Sequence, residues 1–164
     1  VLFRSIPTAE DRQLPGAPPV TLAFVVLAEL GASLDHGRTP QGERSRILIT
    51  GGWFEGPRIR GRILPGGADW QLQRADGLWE LNAVYDMQCD DGTLIHVRNR
   101  GLWQPGPEGG DDLYAMSQPV YDAPIDPHDW LNQHCFLATV REPLDGRADA
   151  VLLEVFQVGM PALR

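Results

Sequence analysis

The chain has 164 residues, 43% of them hydrophobic, with 14 basic against 22 acidic side chains and a formal net charge of −8. That length suits a single domain with a sizeable core, and the acidic balance repels phosphate backbones, which argues against a nucleic-acid-binding role. The longest apolar run, around Leu22 to Leu30, is too short to span a bilayer, and two cysteines, Cys89 and Cys135, are too few for a disulfide framework and lack a paired metal spacing.

In chain order, residues 1–19 carry Pro7, Pro15, Gly16, Pro18 and Pro19 among polar residues, and read as a flexible tail ahead of a domain over residues 20–164. No charged segment followed by an apolar one stands before that domain, so a reduced, cytoplasmic protein is expected. Val20 to Leu30 is nearly continuous in apolar character and rich in valine, as a strand buried on both faces would be. Gly31 to Arg44 holds three glycines and a proline and reads as a long loop, with His36 inside it. Arg46 to Thr50 is a strand ending at Gly51-Gly52, and Gly56-Pro57 breaks the ladder after Trp53 and Phe54. Arg58 to Leu64 alternates, which places Arg58, Arg60 and Arg62 on the solvent face.

Pro65-Gly66-Gly67 turns the chain into Asp69–Arg74, and Asp76-Gly77 joins that run to a strand from Trp79 to Cys89. Within it Trp79, Leu81, Ala83, Tyr85, Met87 and Cys89 recur with period two, the mark of a half-buried strand. Asp91-Gly92 then leads into Thr93–Asn99, where Ile95 and Val97 share a face; Asp-Gly between alternating runs signals a hairpin, so three strands form a meander. Gln104–Asp112 is a loop, and Leu113–Val120 is a strand whose Pro119 assigns it to an edge or a bulge. Tyr121–Gln133 holds the one short helical turn, and His134–Val140 and Ala150–Val158 are the final strands. The sum is an all-β chain of about nine or ten antiparallel strands, and closing such a sheet into a single barrel removes its edges. A barrel of that strand number can hold a small molecule.

The runs GGWFEGPRIRGRILPGGADWQ, RADG and LNAVYDMQCDDGTLIHVRNRG, with TPQGERSRILITGG before them and PVYDAPIDPHDWLNQHCFLATV after, resemble in order and spacing the domain of unknown function 3237, also called uncharacterised protein family 0311. The resemblance takes in nearly all of the chain from Val20. It implies a small cytosolic antiparallel β-barrel, found mostly in bacteria and fungi, whose members mostly have no assigned activity. Some fungal relatives are associated with chalcone-isomerase-type ring closure without a cofactor. The chain departs from the family pattern at Asn82 and Val84, where Asp and Arg are frequent.

If Leu81, Ala83, Tyr85 and Met87 face the lumen, the Tyr85 hydroxyl is a polar tip in an apolar pocket, able to donate to a carbonyl or phenolate oxygen; the alternative is a core tyrosine bonded to backbone. Asp69, beside Trp70 at a strand start, would have its protonated form favoured by desolvation, as an acid or base requires, unless it merely caps a turn. Asn99 shares parity with Ile95 and Val97 and is expected to point inward as a ligand or structural amide. His36 is placed to act as a base at a barrel mouth, or is simply solvated. Trp53, Trp70, Trp103 and Trp130 offer aromatic walls or plain core. Asp126, His128, Asp129 and His134 fit no metal-ligand spacing, so no metal is expected.

Three readings follow, two of them functions of a hollow barrel. One is a cofactor-free enzyme acting by proton transfer on a small aromatic or carbonyl-bearing metabolite, an isomerase or cyclase, with Asp69, Tyr85 and His36 as acid and base and Trp70, Asn99, Trp53 and Trp130 binding the substrate. The other is a non-catalytic barrel holding a small hydrophobic ligand. A third reading is an assembly module with a solid interior, its edge around Leu113–Val120 pairing across a homodimer.

Overall fold

The computed structural model describes residues 16–108 and 110–162. Nine strands, every hydrogen-bonded pair antiparallel, make one sheet: β1 (Val20–Thr39), β2 (Gly42–Glu55), β3 (Arg60–Ile63), β4 (Gly67–Gln73), β5 (Trp79–Cys89), β6 (Leu94–Gln104), β7 (Tyr114–Asp122), β8 (Cys135–Arg141) and β9 (Ala150–Val158). The spatial order runs β1-β9-β8-β7-β6-β5, and β5 is then joined to β2 through both β3 and β4. Because β2 also pairs with β1, the sheet closes on itself. The strands β3 and β4 share one position in the wall. β3 bridges Trp53–Glu55 of β2 to Met87–Cys89 of β5, and β4 bridges Glu43–Ile49 of β2 to Trp79–Val84 of β5. The barrel therefore has eight positions around its circumference, a size whose interior can be filled by side chains or can hold one small ligand. Among the described residues no helix is long and apolar enough to cross a membrane.

The meander forms as its turns dictate. Asp76 Oδ1 accepts from the Leu78 amide and Asp91 Oδ1 from the Thr93 amide, and Gly77 and Gly92 follow with φ of 84° and 88°. Pro119 sits where β7 is laddered to β6 but has no partner in β8, since β7 and β8 pair only at Met116–Thr139 and Ser117–Ala138.

One expected loop is strand. From Gly31 to Thr39 the chain continues β1, turns at Pro40–Gln41 and returns as β2 from Gly42. Register shifts at Glu29/Leu30, Leu30/Ser33 and Asp35/Gly37 absorb the glycines as bulges, and the Gly37 amide donates to Asp35 Oδ1. This ribbon is largely exposed, so its ladder needs no apolar alternation, and the pattern that marks a strand is missing from its sequence. Gly51 and Gly52 likewise lie inside β2. A Cβ on Gly52, whose φ is 128°, would come within 2.0 Å of the Leu27 carbonyl oxygen, so only glycine carries β2 past Ala28 of β1.

The core fills one end of the barrel. Phe24 stands edge-on to Phe54, Tyr121 and Trp130, and Phe136 packs edge-on to Tyr121 and Trp130. Met87, Ile95 and Val97 are fully enclosed beside them. The segment between β7 and β8 closes this end: a short 3-10 turn at Asp129–Leu131 inserts Trp130 and Leu131. The Asn132 side chain holds the Ala123 amide and carbonyl at 2.9 and 2.8 Å.

Candidate functional site

The other end of the barrel is hollow. A cavity of about 730 Å³ is floored by Ile49, Tyr85 and Leu153, walled by Ile47, Leu81, Ala83, Asn99 and Ser117, and rimmed by Trp103, Asp111, Asp112, Arg141 and Glu142. That volume is in the range that encloses a small metabolite. Strand register explains why polar tips converge there. Ala83 pairs with Asp69 on one side and with Asn99 on the other, and Asp69 pairs in turn with Ile47, so these four side chains form one inward-facing row. Asp69 and Asn99 are two strand spacings apart, roughly 10 Å. Tyr85 lies two residues from Ala83 on the same face, and Ser117 on β7 pairs with Gly101, two residues from Asn99.

The electrostatics differ from group to group. Asp69 Oδ1 accepts from the Asn82 amide at 2.9 Å, and Oδ2 accepts from Gln71 Nε2 at 2.7 Å. Burial pushes this carboxyl above the usual carboxylate range, against the lowering effect of those two bonds. Burial also pushes the Tyr85 phenol well above its ordinary value, so it stays a neutral donor at any physiological pH. Asn99 Oδ1 and Ser117 Oγ are buried without a hydrogen-bond partner among the described residues. Orphaned polar atoms in a buried position are uncommon and call for a partner, which a ligand in the cavity would supply. The rim carries Asp111, Asp112 and Glu142 as exposed carboxylates, while Arg141 is paired with Glu154.

Of the side chains that the sequence singles out, Asp69, Tyr85 and Asn99 line one cavity, and Trp103 stands at its rim beside Trp79, ring centroids 5.6 Å apart. His36, Trp53, Trp70 and Trp130 do not line it. His36 is an exposed residue of the β1–β2 ribbon, 6.3 Å from the Trp70 ring. Leu34, Arg46 and Trp70 form a cross-strand row on the face opposite to Ile47 and Asp69, so Trp70 looks outward, with the Arg46 guanidinium 4.8 Å over its ring. Trp53 is exposed on the outer wall, and Trp130 belongs to the aromatic core with Arg58 stacked on it. Aromatic size gave no indication of face. Ser117, Gln71 and Thr139 are lining residues that the sequence reading passed over; Ser117 was detectable from its parity with Pro119 and Tyr121 on β7.

A second group of donor atoms lies at the packed end. The Cys89 thiol, an Asp91 carboxylate oxygen and a ring nitrogen of His128 all lie within 4.8 Å of one another. The companions considered for His128 are engaged elsewhere: Asp129 accepts from Asn132 and Gln133, and His134 Nδ1 bonds the Trp130 carbonyl.

Residues 18–158 match the family model described as Protein of unknown function (DUF3237). The chain belongs to this family. DUF3237 relatives include a UPF0311 protein of Rhodopseudomonas palustris strain TIE-1, 33% identical over 147 residues that cover 82% of this chain and 93% of the relative. Among solved structures of the fold, a conserved protein of unknown function from Rhodopseudomonas palustris superposes with a TM-score of 0.79 at 31% identity, covering 87% of this chain and 99% of that one. A beta-barrel like protein from Acinetobacter baumannii AYE gives 0.75 at 28%, covering 87% and 98%. An enzyme from Penicillium herquei gives 0.72 at 21% identity, covering 90% and 98%; at that identity the likeness is one of fold. The DUF3237 barrel expected from the sequence is thus the barrel found.

Proposed function

We propose that the hollow end is the active site of a small-molecule enzyme that moves a proton with its own side chains, an isomerase or cyclase acting on an uncharged phenolic or carbonyl compound. The observation that carries this reading is the convergence of a carboxyl raised by burial, a neutral phenol, and an unpartnered amide and hydroxyl on one cavity of about 730 Å³. Asp69 takes the proton from a phenolic O–H or an acidic C–H of the substrate, and Tyr85 donates to the oxygen on which negative charge develops. In an isomerisation Asp69 returns the proton to carbon, so the site ends as it began. Asn99 and Ser117 orient the oxygen-bearing edge, and the acidic rim disfavours anions. That one structure of this fold belongs to an enzyme supports the reading.

Asp69→Asn keeps an acceptor for the Asn82 amide and a polar contact for Gln71 but removes the base. Absorbance assays on phenolic enones are expected to show turnover falling by about 10²–10⁴ with ligand affinity kept. A competing reading, a ligand-holding barrel without chemistry, is favoured by one observation: both Asp69 oxygens are engaged by Gln71 and Asn82, as in a purely structural carboxylate. Binding of such compounds with no turnover in the wild type would establish that alternative.

A further inference from the structure

At the end of the barrel away from the cavity, the tip of the β5–β6 hairpin meets the loop that closes the core. Cys89, the last residue of β5, is buried, and its side chain shares the inward parity of Met87. Asp91 follows in the turn, where Oδ1 holds the Thr93 amide and Oδ2 lies 3.1 Å from His128 Nε2. His128 comes from the closing loop, 37 positions after Asp91, and its side chain is only 10% exposed. Its Nδ1 is buried with no hydrogen-bond partner among the described residues, so Asp91 alone engages this enclosed ring. It is Nε2 that faces the Asp91 carboxylate, at a separation that two neighbouring ligands of one ion would have.

We propose that Cys89, Asp91 and His128 form a site for a divalent transition-metal ion of the Zn²⁺ kind. One sulfur, one nitrogen and one oxygen are the donors that such an ion takes in tetrahedral coordination, with the fourth position left to water. The set combines a thiol with an imidazole, which selects Zn²⁺ or Co²⁺ over the all-oxygen preference of Mg²⁺ and Ca²⁺. Asp91 Oδ2 and His128 Nε2 already stand 3.1 Å apart, and the Cys89 thiol, within 4.8 Å of both, is the ligand that closes on them at the hairpin tip, where Asp91 is exposed. Binding displaces the thiol proton to solvent and ties β5–β6 to the closing loop, so the ion's role is to clamp the packed end.

The test uses the full chain, untagged and stripped with chelator, in a Cys135→Ser background, because Cys135 is exposed and adjoins His134. Titration with Co²⁺ is expected to give a near-ultraviolet thiolate-to-cobalt band saturating at one equivalent, together with the visible bands of four-coordinate cobalt, both removed by Zn²⁺. Zn²⁺ at 100 times its dissociation constant is expected to raise the melting temperature by about 5–10 °C. Cys89→Ser loses the thiolate band, and His128→Gln weakens binding at least about tenfold. The proposal is overturned if the wild type shows no thiolate band, or if Zn²⁺ shifts the melting temperature equally with and without Cys89→Ser. The cobalt spectrum is read on the unmutated cluster, so poor folding of a variant does not obscure the result.

Discussion

The same strands build two unlike halves. On β5, Met87 and Cys89 at one end are sealed in the core, whereas Leu81 and Ala83 at the other line a void. On β6, Ile95 and Val97 are fully buried, and then Asn99 faces the cavity; on β7, Tyr121 packs among rings while Ser117 and Ala115 face the cavity. A closed barrel of this circumference is filled or hollow according to the size of its inward side chains, not its backbone. Interlocked rings at one end, and Ala83, Asn99, Ala115 and Ser117 among aliphatic walls at the other, make a packed plug beneath a void.

This division is testable by substitution. Phe24→Ala, at the centre of the plug, should cost about 3–5 kcal/mol in urea unfolding, because the ring touches three others and nothing can collapse into its place. An effect below about 1 kcal/mol would mean that the plug does not carry the fold. Ala83→Leu at the hollow end adds bulk where space exists, so a loss of less than about 1.5 kcal/mol is expected along with loss of ligand binding in calorimetry. A large destabilisation there would mean that the two halves are equally tightly packed.

The finest test uses pH. The folded Asp69 carboxyl is raised above its unfolded value, so between those two values the folded chain binds more protons, and this group makes stability fall as pH rises through that window. Asp69→Asn should flatten that decline in melting profiles taken from the ordinary carboxylate range upward to neutral pH, and should leave the neutral-pH protein no less stable than the wild type. If the slope is unchanged, the Asp69 carboxyl is not desolvated and the hollow end is wetter than its burial implies.

What the sequence disclosed was whatever is decided locally. The Asp-Gly turns and the alternation through Trp79–Cys89 and Thr93–Asn99 were enough for the meander and for the inward aim of Tyr85 and Asn99, since period two allows only one alternative face. The Gly31–Arg44 ribbon was missed because solvent-exposed, bulged ladders carry no apolar period. The outward aim of Trp70 and Trp53 depended on register with distant strands. The grouping of Cys89 and Asp91 with His128 joins segments 37 positions apart and leaves no mark in linear spacing.

The wall is jointed where β3 hands over to β4. Ile63 pairs with Met87 at the plug, Asp69 pairs with Ala83 at the void, and Leu64–Gly66 between them belongs to neither strand. At Gly66 the φ of 112° suits glycine, although the space around it is open. The Leu64 amide is pinned to the Asp86 carbonyl and the Gly66 amide to the Ile49 carbonyl, so residues added between those two pins lengthen the wall beside the hollow while the sealed base stays as it is.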